Sequence, residues 1–361
     1  MAMKDRLASP DVPPHIPPWS YTRLRERPAG MDHLSTEDLG WEFIRRMATE
    51  VRLDDDRNLV ELGFDIRCIL DVITDLHWNR YSRTCCRNNL AGVAPLLARV
   101  RAGRGPNAHV ALADIGCGSW NPLGIGFLSL VLGADEALAF DREAPQYPAR
   151  AVWVLTHLAA AAIIDPASVF PDEPRPTPCQ VLERLSNFDL TLVSRGDSEG
   201  IDSERLRFQQ GSATSLGVPD GAFDVTRSAA FLEHVEDVDG VVAELARVTR
   251  RGGFGLHHID AVDHRIYASS LYTGLSYLED STPGEVVDTR LRGPGGIVQN
   301  RVRPHEWVRR FEAHGFHVES FVPMRPTAVD DAARARFVEP YRSMPVEQLR
   351  YTAGDYLMVR I

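Results

Sequence analysis

The chain has 361 residues, a net charge of −10, 44% apolar and 25% charged residues. This is the composition of an ordinary globular protein with a sizeable core, and the length allows two or three domains or one enlarged domain. Acidity disfavours a nucleic-acid partner, no apolar run reaches the ~18 residues of a membrane span, and the N-terminus lacks a secretory signal. The cysteines Cys68, Cys85, Cys86, Cys117 and Cys179 are odd in number and lack C-x-x-C spacing, which reads as reduced thiols in a cytoplasmic protein.

Residues 1–30 carry Pro10, Pro13, Pro14, Pro17, Pro18 and Pro28 and read as an extended proline-rich arm. Ser35-Thr36-Glu37-Asp38 offers a helix start, and Trp41, Phe43, Ile44, Met47 and Val51 recur at helical spacing. Residues 31–105 therefore read as a helical lid region, in which Arg80, Tyr81 and Arg83 are candidate lid or acceptor contacts. A glycine-rich break follows at 101–107.

Beyond it the texture changes. The runs 110–115, 137–141, 223–228 and 255–260 are short and apolar, and helix-length segments at 124–131, 148–164 and 238–250 lie between them. Strands alternating with helices predict an α/β fold with a Rossmann-like, doubly wound, mostly parallel sheet. The expected domain spans 106–325, with an insertion at 165–205 before the fourth strand and a loop-rich cover at 262–300. Residues 326–361 are expected to complete the sheet. Ligands of such sheets sit beyond the carboxyl ends of the strands.

The segment Asp114-Ile115-Gly116-Cys117-Gly118 is a strand running into a glycine turn. Glycines serve where a ligand approaches the backbone too closely for a Cβ. The third glycine of a nicotinamide fingerprint would fall at Asn121, and Asp114 would repel a diphosphate. A carboxylate there suits a ligand amine, as at the amino-acid end of S-adenosyl-L-methionine. Asp141, followed by Arg142 and Glu143, ends the second strand, where an acid accepts hydrogen bonds from ribose hydroxyls. Gly211-Ser212-Ala213 then precedes Pro219-Asp220-Gly221-Ala222-Phe223-Asp224-Val225.

With these motifs the chain resembles the class I S-adenosylmethionine-dependent methyltransferases of the small-molecule type. Ser228–Val235 matches the family's L-E-H-V segment, and Leu245–Gly253 is similar to its R-V-L-R-P-G-G turn. Ser212 stands where the family usually has Asp, while Ala213 retains its backbone amide. The resemblance implies S-adenosyl-L-methionine as cofactor, held by Asp114, Gly116, Cys117, Gly118, Asp141, Arg142, Ser212, Ala213 and Ser228.

The candidate chemistry follows the fourth and fifth strands. His234 lies after the fourth, and His257-His258-Ile259-Asp260-Ala261-Val262-Asp263-His264 ends the fifth. Either His257 or His258 can act as base with Asp260 as its orienting partner, and either can instead pack against a sheet face. No metal-ligand set is fixed by spacing, so none is expected, although Asp260, Asp263 and His264 leave a divalent ion open. The H-H-I-D-x-x-D-H run and Asn300-Arg301-Val302-Arg303 resemble a subset linked to sugar or polysaccharide modification. On that resemblance Arg301 and Arg303 either recognise an anionic acceptor or form a solvated pair. The expected activity is O-methylation of a small-molecule hydroxyl. The alternatives are N- or C-methylation, a nicotinamide oxidoreductase or a non-catalytic binding module. Neither nucleic acid nor membrane is an expected partner, and a homodimer is left open.

Overall fold

A computed structural model of the protein describes residues 82–267, 271–280 and 299–361. The proline-rich arm, nearly all of the helical lid region and part of the cover lie outside them. The chain divides into two units, 1–85 and 86–361, and the sheet belongs to the second.

This sheet has seven strands in the order β3-β2-β1-β4-β5-β7-β6. β1 (Ala111–Ile115), β2 (Glu136–Asp141), β3 (Leu206–Gln210), β4 (Phe223–Ala229) and β5 (Thr249–Asp260) run parallel. Between β5 and β6 (Phe316–Pro326), β7 (Tyr351–Arg360) runs antiparallel to both, and β6 at the edge again points the same way as β1–β5. Every residue of β1 is buried, as a continuous apolar run requires of a strand covered on both faces. The chain moves from β1 to β2 on one side, whereas β4 pairs on the other. The crevice beyond their carboxyl ends is therefore the place for a ligand.

The helices are α1 (Val93–Arg104), α2 (Gly124–Leu132), α3 (Pro148–Ile164), α4 (Pro178–Arg184), α5 (Leu190–Val193), α6 (Val238–Val248) and α7 (Pro304–Ala313), followed by short turns at Asp331–Arg336 and Val346–Leu349. β5 begins at Thr249, earlier than the apolar run at 255 suggests, because its early residues Arg250, Arg251 and Gly252 face solvent. α6 consequently ends at Val248. The proline-rich stretch after α3 is ordered by local chemistry. Thr177 and Gln180 form a capping box on α4, and Asp189 caps α5. Phe188 then packs edge-on against Phe127 of α2, ring centroids 5.6 Å apart.

α7 buries Trp307 and Phe311 against Phe316, Tyr356 and Met358 of the last two strands. Immediately before it, Arg301 and Arg303 are neither solvated nor presented to an acceptor. Both are buried. Arg303 donates through Nη1 to the carbonyl of Ala261 (3.1 Å) and the hydroxyl of Tyr277 (2.7 Å), and through Nη2 to the carbonyls of Leu349 and Tyr351. A spacing-based reading cannot anticipate this, since the partners come from three distant segments. Among the described residues no helix is long and apolar enough to cross a membrane.

Arg303→Met removes a buried cation and strands several carbonyl acceptors, so it is expected to cost at least about 3 kcal/mol. A drop in the urea midpoint at unchanged m-value would report it; an unchanged midpoint would show that water replaces the guanidinium without cost.

Candidate functional site

The turn after β1 is built by two glycines. Gly116 (φ 73°) and Gly118 (φ 78°) lie in the left-handed region. The amides of Gly116 and Cys117 donate to the carbonyl of Phe140, 2.8 and 3.2 Å away, which ties the turn to β2. A Cβ on Gly116 would lie 2.3 Å from the Phe231 ring, whereas one on Gly118 would meet nothing within 4 Å among the described residues. The first glycine thus allows packing from below, and the second borders open space. Asp141 closes the arrangement. Its Oδ2 accepts the amide of Gly118 (2.7 Å) and its Oδ1 that of Glu143 (2.9 Å).

Asp114 sits beneath this turn, 1% exposed, paired with the guanidinium of Arg227 across the β1–β4 register. Burial pushes its carboxyl pKa up, against the opposing pull of Arg227. The acid expected to meet a ligand amine therefore already has a cationic partner, which no local pattern around Asp114 announces. Burial also raises the Cys117 thiol well above its ordinary range, with Asp114 and Asp141 adding to it, which favours the thiol over the thiolate.

The side chain of Arg142 is exposed, and its carbonyl accepts from Gln210. Ser212 is exposed too, its hydroxyl 2.8 Å from that of Thr214, while Ala213 packs at the margin of the core. The loop beyond is strapped down by α6. Glu244 accepts the amide of Leu216 (2.6 Å), and Arg247 bonds Glu244, Asp220 and the carbonyl of Val218.

The two adjacent histidines of β5 have different surroundings. His257 is 1% exposed, stacked on Phe311 at 5.6 Å, with Nδ1 2.8 Å from the hydroxyl of Ser228. Burial, with the nearby charge of Arg227, holds its pKa down at about 3. The ring is thus a neutral core side chain, and Ser228, expected at the cofactor, is its hydrogen-bond partner. His258 points to the other face, partly exposed, with Nδ1 2.6 Å from Asp355 of β7. Asp260, the orienting acid of the sequence reading, accepts instead from Arg325 at 2.6 Å. Asp355 carries no local signal, because it lies on a strand remote in sequence.

A second cluster forms where the chain leaves β4 and β5. Glu233 and His234 lie on a short 3-10 turn after β4, and His264 opens another after β5. One ligand atom from each of the three lies within 4.8 Å of the others. The His234 and His264 rings meet edge-on at 4.8 Å. Glu233 is buried, and burial raises its pKa well above the carboxylate range. Asn300 holds the first turn, donating its amide to the carbonyl of Glu233 (2.9 Å) and its side chain to those of Leu232 and Val235 (2.7 and 3.0 Å). Gln299 holds the second, accepting the amide of His264 (2.9 Å) and donating to the carbonyl of Val262 (2.7 Å). His234 is a candidate on sequence alone. Glu233, beside it in the same motif, becomes one only through its surroundings.

Residues 186–256 match the family described as a methyltransferase domain. A stretch of 113 residues is 35% identical to the uncharacterized methyltransferase YcgJ of Bacillus subtilis, over 31% of this chain and 38% of that protein. The chain thus spans less than two fifths of the curated relative it matches. Solved structures similar to it include a putative methyltransferase of Bacillus halodurans (14% identity, TM-score 0.35, 73% of this chain and 97% of that one). An S-adenosylmethionine-dependent methyltransferase of Mesorhizobium loti is another (17% identity, TM-score 0.37, 75% and 100%). Likenesses so distant say nothing of substrate. The sheet order and the matched segment identify the fold as that of the class I S-adenosylmethionine-dependent methyltransferases.

His257 contributes a pH dependence whose sign follows from its lowered folded pKa. The native state holds the ring neutral, so this stability is present above about 6.5 and is lost as pH falls toward about 3. Unfolding free energies between pH 7 and 4 are expected to fall by a few kcal/mol more in wild type than in His257→Gln. Parallel curves for the two proteins would contradict the buried, neutral assignment.

Proposed function

We propose that this chain transfers a methyl group from S-adenosyl-L-methionine to a small-molecule acceptor, with a hydroxyl of a sugar or glycosylated natural product as the favoured group. The observation that carries this reading is the space that the described residues leave beside Gly118, bordered by a carboxylate on β2. That cradle suits a ligand carrying ribose and an amino acid rather than a diphosphate. The matched methyltransferase segment, which runs through the Ser212-Ala213 loop and the turn holding Glu233 and His234, supports it.

The bound cofactor supplies a methyl group on a positively charged sulfur. Asp141 uses one lone pair on each oxygen to fix the local backbone and keeps the others for ribose hydroxyls. The Gly116–Gly118 turn, its amides held by Phe140 and Asp141, borders the amino-acid end, while Asp114, tied to Arg227, supports that turn from below. Ser212 and Ala213 border the adenine, with Glu244 and Arg247 keeping their loop in place. Arg142, exposed next to Asp141, flanks the ribose side.

A hydroxyl acceptor has to lose its proton as the methyl arrives, and a positioned base contributes about 10²–10⁴-fold. His257 is enclosed and occupied by Ser228, so it is assigned to the scaffold. His258 has an acid partner, Asp355, that fixes one ring nitrogen and leaves the other to take a proton. Asp260 then acts on Arg325 rather than on either histidine. An amine acceptor would not need this base, so the behaviour of His258 separates the two readings.

Calorimetric titration of the full chain with S-adenosyl-L-methionine is expected to show one site. Asp141→Ala should weaken it about tenfold or more, the worth of hydrogen bonds to a charged acceptor. Folded protein that evolves no binding heat would overturn the reading.

His258→Ala is expected to lower turnover on a hydroxyl acceptor about 10²-fold or more, with the loss shrinking at high pH, where hydroxyls ionise unaided. Full turnover in this variant would favour an amine acceptor.

A further inference from the structure

The cluster at the ends of β4 and β5 has no part in the methyl-transfer steps. We propose that Glu233, His234 and His264 form a binding site for one divalent transition-metal ion.

Three observations carry this. The first is the donor set: one carboxylate and two imidazoles, with an atom of each within 4.8 Å of the others. Two imidazoles and a carboxylate suit zinc, iron(II), cobalt(II) or manganese(II), whereas calcium and magnesium favour oxygen-only shells. Ligands about 2.1 Å from one ion lie about 3.4 Å apart in a tetrahedral shell and about 4.2 Å apart when trans, so the three side chains need to close by roughly an ångström. Glu233 and His234 already stand at 3.9 Å.

The second is Glu233 itself. Its side chain is 3% exposed, and among the described residues neither carboxylate oxygen has a partner at full hydrogen-bond geometry, the backbone amides of Glu233 and Asp260 acting on it only weakly against the burial. Buried polar atoms left short of partners are costly, and a cation between Glu233 and the two rings would offset that cost.

The third is the support behind the ligands. Gln299 and Asn300, adjacent in sequence, hold the two turns that carry the donors, one turn each. Such backing fixes ligand orientation in metal sites and is expensive to build around a solvated cluster. Below it, Asp263 is fully buried and clamps Arg265 at 2.7 Å, which fixes the turn bearing His264.

The site stands without the methyl-transfer reading. Its role rests on that reading: at the carboxyl edge of β4 and β5, the ion would take an oxygen of the acceptor as a further ligand and orient it.

The test uses the full chain, freed of metal with a chelator and titrated with cobalt(II), whose visible absorption reports coordination by protein ligands. Wild type is expected to bind one ion with a new visible band. Glu233→Gln and His264→Ala should each weaken binding about a hundredfold or more, and His234→Gln, at a partly exposed position, should do so with least risk to folding. Circular dichroism and S-adenosyl-L-methionine binding, measured on the same samples, show whether each variant is folded. Absence of a band in wild type, or equal affinity in folded His234→Gln, overturns the site. Cobalt binding without S-adenosyl-L-methionine binding would retain the site and reject the methyl-transfer reading; the converse would reject the site alone.

Discussion

The site depends on the ion pair between Asp114 and Arg227. These two residues are direct neighbours in the β1–β4 register, both almost fully enclosed. Burying either charge alone would cost several kcal/mol, which the pair recovers only when the strands are aligned as found. A slip of one residue would point the two charges to opposite faces. The pair thus fixes β1 against β4 at the point where the sheet's connections diverge, directly under Gly116 and Gly118. It also sets the state of its neighbourhood: the guanidinium adds to the burial that keeps His257 neutral, and neutral His257 can share a proton with Ser228.

From that fixed point the two sides of the crevice are built by different means. On the β2 side, backbone geometry dominates: two left-handed glycines, a carbonyl of Phe140 that receives two amides, and an aspartate whose oxygens each hold one amide. On the β4–β5 side, side chains dominate. Gln299 and Asn300 bind the turns that bear the acids and imidazoles, and Arg303 ties the chain just after them to the end of β5 and the start of β7. Backbone cradles tolerate one ligand shape. Titratable clusters can be adapted to different acceptors without disturbing the sheet.

This difference explains which features are legible in the sequence. Strands β1, β2 and β4 and helices α2 and α3 are readable because each is a local apolar run ended by glycine, acid or proline. The glycine turn and Asp141 are readable for the same reason: glycines and an acid mark the strand ends, and the structure ties them together through the amide of Gly118. The partners of the histidines are not. Asp355 and Arg325 reach His258 and Asp260 from β7 and β6, and strands added late in the chain leave no spacing signal at β5. Alternation does separate His257 from His258 onto opposite faces. It cannot say which face α7 covers, and that single fact makes one ring core and leaves the other accessible.

The charge of the chain also acquires a local meaning. Taken alone, −10 suggests an anionic crevice that would attract a cationic sulfonium. The acids of the crevice are mostly compensated: Asp114 by Arg227, Asp260 by Arg325, Asp263 by Arg265. Glu233 differs, having imidazoles rather than a guanidinium beside it. Arg–carboxylate pairs hold their charge over the whole physiological pH range, so they position groups without responding to what enters. A carboxyl beside two imidazoles can change state, because a proton neutralises it whereas a bound cation keeps it ionised. Charge at this edge can therefore change at Glu233, while the guanidinium-paired acids around it stay constant.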